Sequence, residues 1–276
     1  MSTDPLASWR EGAAKRAILD FVARVTDEEG PDYVAPDDRL ATFDSDGTLV
    51  PERPRTLEEL FILDKIGRQL PTEPREFSMS LPMIVQGFGH FVVAWPFHGY
   101  TPQEYEAEVE AFFSDFVHPA LGRSLEGIVY QPMAELLRYL EANGFTVAIV
   151  SASGMSFVRA FAPDVLGLDV DQVVGTTVAY RVRKRGGEVR LERGRRLIGG
   201  VATSGRKPSH VQQRFGRMPL LHAGNSLGDA GLLDITADCR PGLALAILHD
   251  DAEREFVYTG DGANGTDLAP MIPGHG

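Results

Sequence analysis

Asp44 and Asp46 stand two residues apart directly after the apolar run Leu40-Ala41-Thr42-Phe43, and Gly47-Thr48 follows them. If residues 40–43 end a buried parallel strand, both carboxylates emerge at its carboxyl edge, where open α/β sheets bind ligands. Like charges so close raise one another's pKa unless a cation or a division of roles separates them. A divalent metal, with one carboxylate as nucleophile and the other as general acid/base, resolves that repulsion. Asp-Gly is also a common turn dipeptide, so an Asx-capped turn is the plainer alternative.

Elements must place those groups. Trp9, Ala13, Ile18, Phe21, Val22 and Val25 recur at helical spacing and predict an amphipathic helix over residues 8–29. Pro51 and Pro54 stop the first strand and open a helical segment at 57–70, and a second clear helix spans 131–143. Buried strands are expected at 145–150, 173–182, 218–223 and 243–248, with a helix at 156–161 and another ending near 217. The arginine-rich stretch 181–196, with Gly186-Gly187 at its centre, reads as a solvated surface hairpin, although a phosphate-binding or partner patch is conceivable. Alternating helices and apolar strands give an α/β fold with a Rossmann-like, doubly wound parallel sheet. Residues 71–118 are crowded with aromatics, among them Phe77, Phe88, Phe91, Trp95, Phe97, Tyr105, Phe112, Phe113 and Phe116, expected mainly as core.

Four segments in order resemble the haloacid dehalogenase superfamily of phosphohydrolases, in its phosphoserine-phosphatase-like branch. Asp44, Asp46 and Thr48 match an Asp-x-Asp-x-Thr motif; Ser151 ends the strand of a second; Lys207 stands at the head of a helix; and the run Gly224-Asn225-Ser226-Leu227-Gly228-Asp229 supplies a fourth. The resemblance implies a core of residues 1–51 and 126–276 with an inserted helical cap over 52–125. It implies Asp44 as nucleophile, Asp46 as general acid/base, Lys207 as the balancing cation, and Mg2+ held by Asp44, Asp46, Asn225 and Asp229. Thr48 would steady Asp46, and Ser151 with Ala152 beside it would hold the phosphoryl group. Glu52 and Arg53 fall where that branch recognises its substrate, or are hinge charges; Arg53 favours an anionic substituent. Arg206 and Lys184 compete with Lys207 on residue type alone, and His90, His98 and His118 could reach a ligand from the cap. The chain departs from the pattern at Ala152 and Ser153, where relatives carry glycine, at Leu227, where they carry Asp, and at Asn225, where many carry Asp. The reading is therefore a phosphatase of a small phosphorylated metabolite, with a phosphotransferase or a silent phosphate-ester-binding module as alternatives.

Composition narrows the classes. Net charge is −12, so nucleic-acid binding through a general basic surface is not expected. The single cysteine, Cys239, excludes an internal disulfide and reads as a buried structural thiol. No targeting segment and no long apolar run is seen, so a cytoplasmic protein without a membrane span is expected. Oligomeric state stays open.

Overall fold

A computed structural model of the protein describes residues 4–69, 96–253 and 255–258. Phe77, Met79, Met83, Phe88, His90, Phe91 and Trp95, and the glycine-rich tail from residue 259, lie outside the described residues.

Six strands form one sheet in the order β4-β3-β2-β1-β5-β6: β1 (Leu40–Phe43), β2 (Thr146–Gly154), β3 (Val173–Arg185), β4 (Glu188–Ile198), β5 (Leu221–Gly224) and β6 (Leu243–Ala246). All neighbours run parallel except β3 and β4, which form an antiparallel hairpin. The chain leaves β1 toward β2 on one side and returns to β5 on the other, so the β1–β5 boundary is a topological switch point, the place where such sheets bind ligands.

Helices cover both faces. Those described are α1 (Ala13–Thr26), α2 (Leu57–Gln69), α3 (Pro102–Ser114), α4 (Gln131–Ala142), α5 (Met155–Arg159), α6 (Ala162–Leu166), α7 (Lys207–Phe215) and α8 (Ala230–Asp238). Side-chain alternation divides the core. Ala41, Phe43, Val147 and Ile149 point to one cluster with α1, α4 and α5, whereas Leu40, Val150 and Val174 meet Val211 of α7 and Leu232 of α8. Both faces of the central strands are thus buried, which is why they read as unbroken apolar runs.

Three local expectations need correction. The first helix begins at Ala13, not residue 8, because Trp9 instead docks its indole N–H on the Pro132 carbonyl at 2.8 Å. Strand β2 runs on past Val150 to Gly154, since Gly154 still pairs with Thr176 across a bulge. Cys239 is half-buried, its thiol beside the Pro219 carbonyl.

Helices α2 and α3 lie in the segment between β1 and β2. Their aromatics do not form a separate core: Phe61 stacks on Phe157 of α5 at 5.5 Å, and Phe113 meets the same ring at 5.6 Å. The hairpin is also tied to this segment. Its Arg193 N–H donates to the Tyr100 carbonyl at 2.7 Å, its carbonyl accepts from Gly99 N–H at 2.9 Å, and Arg190 pairs with Glu104.

Candidate active site

Register brings the four motifs to one edge. Phe43 is level with Ile149 of β2 and Ala223 of β5, so Asp44 follows at the same height as Val150 and Gly224, one residue short of Ser151 and Asn225. The Asp44 N–H donates to the Ala223 carbonyl at 2.9 Å, which fixes its backbone to β5. After it the chain turns sharply, with the Ser45 carbonyl accepting from the N–H groups of Thr48, Leu49 and Val50. Gly47 is required there: its φ is +77°, and a Cβ would stand 2.1 Å from Asn225 Nδ2.

Lys207, the first residue of α7, is 1% exposed and reaches between two carboxylates. Its Nζ lies 2.8 Å from Asp44 Oδ1 and 2.5 Å from Asp229 Oδ1. The rival cations lie elsewhere: Arg206 is exposed, and Lys184 is exposed on the hairpin. Asp229 is fully committed. Its second oxygen accepts from Ser226 N–H at 3.1 Å and Ser226 Oγ at 3.2 Å, and His222 Nε2 stands 3.6 Å from the first. Gly224 makes room for it, since a Cβ there would meet Asp229 Cγ at 2.3 Å. Asp229 therefore holds Lys207 in place.

The charge balance is uneven. Two carboxylates share one ammonium, leaving a surplus negative charge in a buried site. Against the cost of burial, Lys207 and His222 hold Asp229 well below the usual carboxylate range. Burial, with Asp229 beside it, pushes Asp44 up to about 8 despite Lys207. Against its own burial, Lys207 is held above the usual range by Asp229 and Asp44. A proton held at Asp44, the carboxylate farther from the ammonium, thus relieves the surplus charge.

Asp46 is built differently. Two extra residues of β2, Ala152 and Ser153, bulge between the Ser151–Gly175 and Gly154–Thr176 pairs. Bulges re-aim side chains beside active sites, and here the Ser153 hydroxyl donates to Asp46 Oδ2 at 2.8 Å. The Leu57 N–H at the start of α2 also reaches the Asp46 carboxylate. Burial raises Asp46 to about 6, with Ser153 and Leu57 opposing and Glu52 adding to the rise. Glu58, on the first turn of α2, accepts from the Gly154 N–H at 2.8 Å, and burial raises it to about 7.

Other expected residues are placed as follows. Thr48 donates to Asn225 Oδ1 at 3.3 Å, not to Asp46, because the turn aims it at β5. Asn225 Nδ2 donates to Glu52 Oε1 at 3.1 Å, which ties Glu52 to the site wall. Arg53 lies over the Tyr258 ring at 4.7 Å. Ser151 is buried and accepts from the Ser153 N–H at 3.1 Å; Ala152 is exposed at the edge. His118 is wholly buried and accepts from the Leu121 N–H, a structural role; His98 is exposed beside the hairpin.

Sequence reasoning missed His249, Glu255 and Tyr258. His249 Nε2 donates to the Gly47 carbonyl at 2.8 Å, its Nδ1 lies 2.7 Å from Glu255, and Tyr258 stacks on its ring at 4.4 Å. No motif marks these residues; only the fold brings them under the first turn.

Oxygens that could take a cation include the Asp44 carboxylate and the second lone pair of Asn225 Oδ1. Asp44 Oδ1 is buried without a hydrogen-bond donor of its own, facing only the Lys207 ammonium. Among the described residues no group of three or more His, Cys, Asp or Glu forms a metal cage. Magnesium needs none, since it binds through one or two carboxylates and fills its shell with water and substrate phosphate. The residues fit it.

The chain is similar to a conserved functionally unknown protein from Anaerococcus prevotii DSM 20548 at 15% identity, covering 83% of either chain, with a TM-score of 0.48. It is similar to a protein of unknown function from Bordetella pertussis Tohama I at 20% identity, covering 72% of this chain and 86% of that one, TM-score 0.47. A phosphoserine phosphohydrolase-like protein from Francisella tularensis subsp. tularensis SCHU S4 matches at 14% identity over 85% of this chain and 99% of that one, TM-score 0.45. No curated protein matches the chain. Among the described residues no helix is long and apolar enough to cross a membrane. The profile of the haloacid dehalogenase-like hydrolases matches residues 41–234, a span that runs from β1 through the β5 loop into α8, and the chain belongs to that family.

Proposed function

We propose that the protein is a Mg2+-dependent phosphomonoester hydrolase of a small soluble phosphorylated metabolite, acting in the cytoplasm. The observation that carries this reading is the Asp44–Lys207 contact of 2.8 Å at the carboxyl edge of β1. A carboxylate so placed attacks phosphorus while the ammonium offsets the charge that builds on the phosphoryl oxygens.

Asp44 forms a bond to phosphorus as the bond to the ester oxygen breaks, and Asp46 donates a proton to that leaving oxygen. Asp46 then takes a proton from water, the water oxygen bonds to phosphorus, and the Asp44–phosphorus bond breaks to release phosphate. A carboxyl raised to about 6 suits a group that must both give and take a proton near neutrality. Asp229 keeps the ammonium aimed, and Ser151 with the edge at Ala152 offers a hydroxyl and main chain toward the phosphoryl group. Asp44, the Asp46 carbonyl and Asn225 would hold the metal. Bound there, magnesium would take the place of the Asp44 proton and favour the ionised nucleophile. Residues 52–125, carrying α2 and α3, serve in this reading as the cap that excludes bulk water.

Phosphate release from an aryl phosphate tests the reading, with magnesium, with EDTA, and with Asp44→Asn. Metal-dependent release lost in the variant is expected. Release that survives Asp44→Asn sinks the mechanism, and ester binding without turnover favours the silent binding module, for which the neutral Asn225 speaks.

A further inference from the structure

The most basic part of the molecule is separate from Lys207. Residues 181–196 hold eight Lys or Arg against two Glu in a chain of net charge −12. Strand β3 leaves the parallel sheet after Thr176 and continues as the hairpin, so this charge is carried outward from the carboxyl edge. A cavity of about 280 Å3 opens on it, lined by His98, Arg181, Arg183, Lys184, Glu192 and Arg193.

Arg193 anchors the cavity. It is 2% exposed, and its main chain is bonded at both ends to the segment before α3. Its guanidinium lies 3.8 Å over the Tyr105 ring, and Nη1 donates to Tyr180 Oη at 3.3 Å. Its Nε has no partner, and Arg193 makes no ion pair among the described residues. Buried Glu58 is close enough for the guanidinium to oppose its rise, and Nε is still left without an acceptor. Arg181, Arg183 and Lys184 are exposed and likewise make no ion pair among the described residues, while Arg183 stands directly across the ladder from Arg190. Arg190 is paired with Glu104, which leaves Arg183 as the uncompensated member of the two. Glu192, across the ladder from Arg181, is the acidic residue of the lining.

We propose that this cavity is a binding site for a small, multiply charged anion of the phosphate class. Its small volume suits a compact anion, and the acidic remainder of the chain repels an extended polyanion such as nucleic acid. The occupant is either a distal phosphate of the substrate or a separate phosphorylated effector. The site stands on the hairpin geometry and not on the Asp44 chemistry.

The probe is pyrophosphate, titrated calorimetrically into the full chain in EDTA at low salt. Wild type should bind one equivalent, with affinity that falls as salt rises. The Arg181→Ala/Arg183→Ala/Lys184→Ala variant, all surface positions, should bind at least about tenfold more weakly, with a shallower salt dependence. Circular dichroism checks its fold. Equal binding by both proteins, or none by wild type, overturns the site; tighter binding of a short single-stranded oligonucleotide than of pyrophosphate overturns it in favour of nucleic acid. Turnover assigns the source. A distal substrate phosphate predicts that the variant raises KM for a bisphosphate ester and not for a monophosphate. An effector predicts that pyrophosphate changes turnover of both esters in wild type and of neither in the variant. Because binding is read without metal or turnover, failure of the phosphatase reading and failure of this site are told apart.

Discussion

The Ser153 hydroxyl donates a hydrogen bond of 2.8 Å to Asp46 Oδ2, across 107 residues of sequence. The contact exists because the β2 bulge turns Ser153 out of the strand toward the first-motif loop. It couples the departure from glycine at this position to the acid/base group itself.

Removing that hydroxyl should show in the leaving group. In Ser153→Ala, Asp46 keeps the Leu57 amide but loses its second anchor. A single hydrogen bond to a charged group contributes about 1.5 kcal/mol, so turnover of alkyl phosphates, which need protonation on departure, should fall roughly tenfold. Aryl phosphates with acidic leaving groups should change little, and Ser153→Thr should restore the alkyl rate. Equal losses on both ester classes would show that Ser153 has only a packing role.

Lys207 should matter to the fold as much as to the chemistry. With Lys207→Met, Asp44 and Asp229 are left buried beside one another without a cation, a change that costs about 3–5 kcal/mol. Adding Asp229→Asn removes one of the stranded charges, so the double variant should recover part of the loss in urea denaturation. A Lys207→Met protein as stable as wild type would mean that the carboxylates take up protons at little cost.

Much of this was legible in the sequence, and the limits have physical causes. The apolar runs at β1, β2 and β5 showed where Asp44, Ser151 and Asn225 would emerge, because a strand buried on both faces needs such runs. Lys207 was legible only through the order of the motifs; a lysine at a helix start is ordinarily exposed. Ser153, Glu58 and His249 were not legible as partners of the site. Their contacts depend on register, on a bulge and on residues at the other end of the chain, none of which leaves a periodic trace. The first helix was read too long because Trp9 continues the apolar spacing while its indole serves Pro132. Thr48 was aimed at Asp46 because the two are neighbours in sequence, whereas the turn around Gly47 sends it to Asn225.

Glu58 gives a stability prediction with a defined sign. Its carboxyl rises from 4.5 to about 7 on burial, so folding favours the protonated form. The stability this contributes is fully present below about 4.5 and is lost as pH rises through about 7. Glu58→Gln keeps an oxygen for the Gly154 amide and cannot ionise. Relative to wild type it should gain on the order of 2–3 kcal/mol between pH 4.5 and pH 8. Asp44 and Asp46 titrate in both proteins, so the difference in urea midpoints between the two isolates Glu58. Parallel stability curves would show that Glu58 is already ionised in the fold.

Metal binding should itself be a proton-releasing event. In the metal-free protein Asp44 is held protonated up to about 8 by burial and by Asp229. A hard cation takes the ionised carboxylate, so each magnesium bound at pH 7 should displace close to one proton. Apparent affinity should then strengthen about tenfold per pH unit below pH 7 and level off above about 8. Calorimetry in two buffers of different ionisation enthalpy reads the proton directly, and repeating it across pH 6–9 reads the slope. Asp44→Asn should abolish the released proton whether or not it still binds metal. A magnesium affinity that is flat from pH 6 to 8 would mean that Lys207 already keeps Asp44 ionised in the metal-free protein, and that the site carries its surplus negative charge unrelieved.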